Sequence, residues 1–193
     1  THYPEISKNN VEILNPLSTD LNVMRQTLLF GGLESVSRNI RHQEADCKFY
    51  EFGNLYGLSN KEGWPYEEHS AMGIFLTGKW QMERWNTSPT QVSFHHLNGV
   101  VKSILKRLGI TAKLQEVSDK STFNYGMEYV SAKGELLAHF GSVNTGILSA
   151  FDIEQEVFFA DFAWDNVLKL SAINEFEVSN LPKYPSVRRD LAL

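Results

Sequence analysis

Apolar residues recur along this chain in two rhythms, helical and alternating, and the change from one to the other marks out its elements. Val11 to Leu14 reads as a short strand that stops at Asn15-Pro16, because a residue before proline is held extended. Leu21, Met24, Leu28, Val36 and Ile40 follow helical spacing and predict a helix over residues 20–41, bent or weakened at Gly31-Gly32. Phe49, Phe52 and Tyr56 predict a strand from Lys48 to Gly57 with a break at Gly53. Residues 69–80 predict its antiparallel neighbour, across a hairpin insert at 58–68. The clearest helix is 94–108, where Leu97, Val101, Ile104, Leu105 and Leu108 form one stripe, Lys106 and Arg107 complement the dipole, and Gly109 closes the end. Strands are predicted at 112–117, 127–132 and 136–143, the last two joined through Lys133-Gly134-Glu135 as a tight hairpin. Residues 156–164 are apolar on both alternating faces except at Asp161, the pattern of a strand covered on both sides, and a short helix follows at 165–170.

This order of elements predicts an α+β fold, an antiparallel β-sheet flanked by helices. Residues 1–181 are expected to form one domain, and 182–193 a linker and the start of a neighbouring domain: Pro182 and Pro185 exclude a regular element, and apolar alternation resumes from Val187 to Leu193. With 193 residues, 42% of them hydrophobic and 21% charged, the chain can bury a core without disulfide or metal. No apolar run approaches the ~20 residues of a membrane span. Cys47 is the single cysteine, which excludes an internal disulfide and Cys-based zinc sites and points to a reducing, cytoplasmic setting. Thr1-His2-Tyr3-Pro4 lacks the regions of a secretory signal and does not begin with Met, so the chain is expected to be cut from something longer. A formal charge of −5 opposes a surface that grips phosphate backbones by itself.

Few residues suggest chemistry. His95 and His96 project about 100° apart on a helix and have no ligand one turn away, so no metal is expected there. His69 and His139 lie in predicted strands without a histidine partner and read as surface or satisfied core residues. Ser18, Ser37 and Ser142 lack a Gly-x-Ser-x-Gly setting, and Gly141 to Gly146 has the wrong spacing for a nucleotide loop. Asp161 is the one carboxylate in an apolar strand, where burial demands a partner; it reads as a structural aspartate or as a site residue. The aromatic run from Phe158 to Trp164 lacks the interleaved basic residues of a base-stacking surface and reads as core. Arg188-Arg189-Asp190 reads equally as a surface ion pair or a phosphate contact. Leu29, Phe30 and Leu33 beside Leu28 give the first helix more apolar surface than one sheet face needs, which predicts an interface and a partner.

Longer runs are more specific. Val11, Asn15-Pro16-Leu17-Ser18, Met24-Arg25-Gln26-Thr27-Leu28-Leu29, Asn39 and Phe49-Tyr50-Glu51-Phe52-Gly53, in this order, closely resemble the synthetase-like core of the phenylalanyl-tRNA synthetase β-subunit family. The likeness continues through Phe94, Leu97 and Gly99, through Phe151-Asp152-Ile153, and through Ala160-Asp161-Phe162-Ala163-Trp164-Asp165-Asn166-Val167-Leu168, which resembles the family's Phe-Glu-Leu-Asp-Leu strand. Residues 184–193, from Tyr184-Pro185 to Leu193, are similar to the start of its anticodon-binding domain. The chain departs from the pattern at Asn124-Tyr125-Gly126-Met127, where the family commonly has His-Pro-Gly-Arg, and at Ala163, where aspartate is frequent.

The resemblance implies a class II aminoacyl-tRNA synthetase-like fold without catalysis in this segment. Neither Phe-Arg-x-Glu nor Gly-x-Gly-x-Glu-Arg is present to clamp the ATP phosphates, so no catalytic residue and no bound cofactor is expected. It implies that ATP and magnesium act in the holoenzyme, that a catalytic α subunit activates phenylalanine, that two α and two β subunits assemble, and that the holoenzyme charges tRNA(Phe). Asn15, Pro16, Leu17, Met24, Arg25, Leu28 and Leu29 are then subunit-interface candidates, with Arg25 expected to meet a polar partner across the contact, and Asp161 is a pseudo-site candidate. The alternative is a diverged stand-alone class II-like ligase or acyltransferase; a free-standing RNA-binding module conflicts with the acidic balance.

Overall fold

The computed structural model describes residues 9–16, 22–59, 63–117, 121–172 and 184. Residues 48–77 fold as one long antiparallel hairpin of β1 (Lys48–Leu58) and β2 (Tyr66–Thr77), in register from Lys48 opposite Leu76 to Leu58 opposite Tyr66. The predicted break at Gly53 is absent. Gly53 pairs with Ala71 in unbroken register, and the room left by its missing side chain is taken by the Arg25 guanidinium. Gly78, at a positive φ of 77°, ends the hairpin. Trp80 therefore belongs not to β2 but to a separate two-stranded ribbon of β3 (Lys79–Gln81) and β4 (Thr90–Gln91).

The first helix, α1, spans Leu29–Arg41 and starts well after the predicted residue 20. Residues 22–24 are already engaged in extended pairing: Ile13 N–H donates to Asn22 O and Met24 N–H to Val11 O, both at 2.8 Å, around a bridge between Glu12 and Val23. Tertiary pairing has overridden helical periodicity. Gly31 and Gly32 fall in the first turns of α1 and do not break it; Gly32 lies against the Phe75 ring. Downstream come α2 (Phe94–Arg107), β5 (Lys113–Glu116), β6 (Phe123–Val130), β7 (Leu136–Val143), α3 (Thr145–Ala150), β8 (Val157–Ala163) and α4 (Trp164–Ser171). β6 begins earlier than the predicted residue 127 because an irregularity in the register between Phe123 and Tyr125 breaks the alternation there.

Six strands form one antiparallel sheet in the order β1-β2-β8-β7-β6-β5, so β8 is central, as its two-faced apolar pattern requires. One face is covered by α2 and α4 through Leu97, Val101, Leu105 and Val167 against Ile74, Phe140, Phe158 and Phe162. The other is covered by α1 and α3 through Leu33, Val36 and Ile147 against Phe75, Phe123 and Phe159. Each such fully buried side chain contributes about 1.5–3 kcal/mol. Leu28, Leu29 and Leu33 are at most 3% exposed, and Phe30 stacks on Phe151 at 6.1 Å. The apolar surplus read from the sequence is thus consumed by this chain's own core. The expected linker at 182–193, apart from exposed Tyr184, lies outside the described residues, as does Leu17. No described helix is long and apolar enough to cross a membrane.

Candidate functional site

In an antiparallel sheet, residues directly opposite one another share a face. The register sets Glu51 opposite Gly73, Gly73 opposite Asp161, Asp161 opposite His139, His139 opposite Glu128, and Glu128 opposite Gln115. One polar row therefore crosses the whole sheet on the face that carries α1. Leu28 roofs its middle, with its Cβ 3.3 Å from where a side chain at Gly73 would begin.

At the β1 end of the row sits Arg25. Its Nη1 donates to Glu51 Oε1 at 2.6 Å and its Nε to Asn54 O at 2.9 Å, while its own carbonyl accepts from the Tyr56 N–H at 2.9 Å. The segment before α1 is thereby stitched onto the edge of β1. Within the chain Arg25 pairs with Glu51, and it stands before α1 on a non-helical segment rather than within the predicted helix. Beside it opens a cleft of about 230 Å³ lined by Val23, Met24, Leu28, Phe30 and Glu51. Asn15 and Pro16 are exposed and Met24 is half-buried.

At the centre of the row, His139 Nε2 lies 3.3 Å from Asp161 Oδ2, with the two side chains 28% and 17% exposed. The Nε2–H tautomer donates to the carboxylate. Asp161 Oδ1 is buried with no hydrogen-bond partner among the described residues. From the sequence Asp161 reads as a structural aspartate or a site residue, and His139 as a surface or satisfied core residue. Each is the lone charged or ionisable residue within an apolar strand, and that shared oddity was the available signal; their contact depends on strand register, which spacing does not reveal.

The other sequence candidates are absorbed by structure. His96 Nδ1 accepts from the Ser93 N–H at 3.0 Å to cap α2, and its ring stacks on Trp80 at 4.6 Å. His69 lies near Glu67 and Asp165, at 3.6 and 3.8 Å. The Cys47 thiol donates to Glu44 O and is pushed up by burial and by the charges of Asp46 and Glu44. Ser142 and Tyr125 both donate to Glu156 Oε1, at 2.7 and 2.9 Å. Among the described residues no group of three or more His, Cys, Asp or Glu is placed to hold a metal.

The polar row thus presents three carboxylates and a histidine, and the Arg25 guanidinium beside it is held by Glu51. A polyphosphate needs converging cations to offset its charge. The row itself supplies no arginine or lysine.

Known proteins place this geometry. The family model of the phenylalanyl tRNA synthetase beta chain CLM domain matches residues 3–164. The phenylalanine-tRNA ligase beta subunit of Bacteroides fragilis is 43% identical over 201 residues, covering 99% of this chain and 24% of the relative. The beta subunits of Porphyromonas gingivalis and Fusobacterium nucleatum are 38% and 32% identical, each covering 95% of this chain and 23% of the relative. The chain therefore spans about a quarter of the length of the curated relatives it matches. In three dimensions its fold is that of a pyrrolysyl tRNA synthetase from Desulfitobacterium hafniense, with a TM-score of 0.64 at 14% identity over 89% of this chain and 56% of the other. On these matches the chain belongs to the phenylalanyl-tRNA synthetase beta chain family.

Proposed function

We propose that this chain is a non-catalytic, class II synthetase-like scaffold domain of a phenylalanine-tRNA ligase β subunit. It pairs with a catalytic α subunit, in a cytoplasmic assembly of two α and two β subunits that charges tRNA(Phe), and the α subunit supplies the ATP and magnesium chemistry. The observation that carries the non-catalytic part is the row from Glu51 through Asp161 and His139 to Glu128, which offers no arginine or lysine to clamp a triphosphate. The same row disfavours a stand-alone ligase. Asp161 serves as one half of a structural pair with His139, a remnant site rather than a working one. Asn15, Pro16, Met24 and the outer side of Arg25 form the surface offered to the partner, with Leu17 a further candidate by sequence alone, and buried Leu28 and Leu29 anchor it from below. Residues 1–181 are one domain, and 182–193 lead to the next.

Co-purification tests this reading. A full-length β subunit should hold a stoichiometric α subunit through gel filtration, and a β subunit lacking residues 1–181 should lose it. Equal retention of α by the deleted subunit would refute the scaffold role.

A further inference from the structure

The two edges of the six-stranded sheet differ. On one side, β5 is four residues long, fully exposed and charged at both ends, which blunts it against pairing. On the other, β1 is eleven residues long. Its outward-facing backbone groups are identified by what they already bind. Tyr56 N–H donates to Arg25 O, Leu58 N–H donates to Asn9 Oδ1, and Asn54 O accepts from Arg25 Nε, each at 2.9 Å. The even-numbered residues of β1 therefore turn their N–H and C=O away from β2. At Tyr50 and Phe52 these outward groups have no hydrogen-bond partner among the described residues. The side chains there are aromatic and 70% and 51% exposed, with Phe52 edge-on to Trp164 at 5.0 Å and Tyr50 edge-on to Phe52 at 6.1 Å.

We propose that the Lys48–Phe52 half of β1 is a docking edge, onto which an extended segment of the longer polypeptide adds as one further strand. Bare, evenly spaced backbone donors and acceptors call for an extended backbone rather than a helix. The other half of this edge is already covered by the segment that carries Arg25, through one backbone bond from the Tyr56 N–H and one side-chain bond to Asn54 O, and the added strand continues that cover along β1. The occupant comes from the same polypeptide because relatives carry about three-quarters of their length outside the matched region. Its alternate side chains, packed beside Tyr50, Phe52 and Trp164, are apolar. The proposal rests on β1 and on family membership and does not depend on pairing with an α subunit.

Two measurements on the full-length β subunit in its purified assembly test it. Exchange at the Tyr50 and Phe52 amides should be slowed on the order of 100-fold relative to open amides. A benzophenone side chain placed at position 50 should cross-link to another segment of the same polypeptide. Phe52→Pro removes an outward N–H without touching a β1–β2 hydrogen bond, so it should speed exchange at Tyr50 by about tenfold while Phe49 and Glu51 stay protected. Open exchange at both amides in the unaltered protein overturns the proposal, as do an absent cross-link and cross-links confined to a second copy or a different subunit.

Discussion

At the scale of single residues, the sheet leaves gaps at glycines and other parts of the chain fill them, and the fillers differ in how readily they move. A side chain at Gly53 would meet the end of the Arg25 guanidinium, whereas one at Gly141 would meet the Tyr125 carbonyl and, at 2.8 Å, the Gly126 Cα. Gly53→Ala should therefore cost little. It loses an exposed ion pair worth about 0.2–1 kcal/mol but gains roughly 0.5–1 kcal/mol from alanine in a strand interior, leaving urea-unfolding stability within about 0.5 kcal/mol. Gly141→Ala pushes against backbone and against the buried Phe123 ring and should cost the upper end of about 1–3 kcal/mol in the same measurement. Arg25→Glu, which sets a like charge against Glu51, should lower stability by about 1 kcal/mol at low salt and by less at high salt. The Tyr125 hydroxyl is pushed above 10.0 by burial, then by the hydrogen bond and charge of Glu156; Tyr129 is raised by burial. Both phenols stay protonated in the fold where the unfolded chain ionises. Their stabilisation is whole below pH 10 and is lost as pH climbs through the raised values, so the urea midpoint should fall more steeply above pH 10 than in Tyr125→Phe. An equal slope in the two proteins would remove this account of Tyr125.

At the scale of elements, local signals were legible where local physics decides. The α2 stripe, the Gly134 hairpin and the two-faced β8 all follow from residues close in sequence. Where a distant segment decides, the reading failed. Residues 22–24 carry helical spacing, yet they pair with 11–13, and no feature within the window 20–41 announces that competitor. Gly53 looked like a break because a glycine usually weakens a strand; its actual role, making room for Arg25, needs the fold. The polar row follows the same rule. Asp161 stood out from its strand, but the partnership with His139 and the alignment with Glu51 and Glu128 are products of register. His96 was read only as a failed metal ligand, while it occupies the place of the usual glutamate in a capping box. His96→Ala should then cost about 1 kcal/mol through the frayed first turn of α2, seen as faster amide exchange at Leu97 with β8 unaffected.

At the scale of the whole molecule, two apolar layers clamp one sheet, and the polar row lies on the same face as the α1–α3 layer. The fold is shared with a tRNA synthetase, but the polar row on this face carries no arginine or lysine to meet a nucleotide's phosphates. The formal charge of −5 likewise predicts that the isolated chain binds tRNA no more tightly than the nonspecific range of about 10⁻⁴ to 10⁻⁶ M, which a titration at physiological salt can check. A structural row in a scaffold domain leaves the chemistry of the assembled enzyme untouched. This is tested most directly by phenylalanine-dependent ATP–pyrophosphate exchange in the assembled ligase, with Asp161→Ala and His139→Ala combined in the full-length β subunit and the amount of assembled complex set by sedimentation. Exchange per assembled complex should match that of the unaltered enzyme within about twofold. Loss of exchange in a complex that still assembles normally would contradict the account.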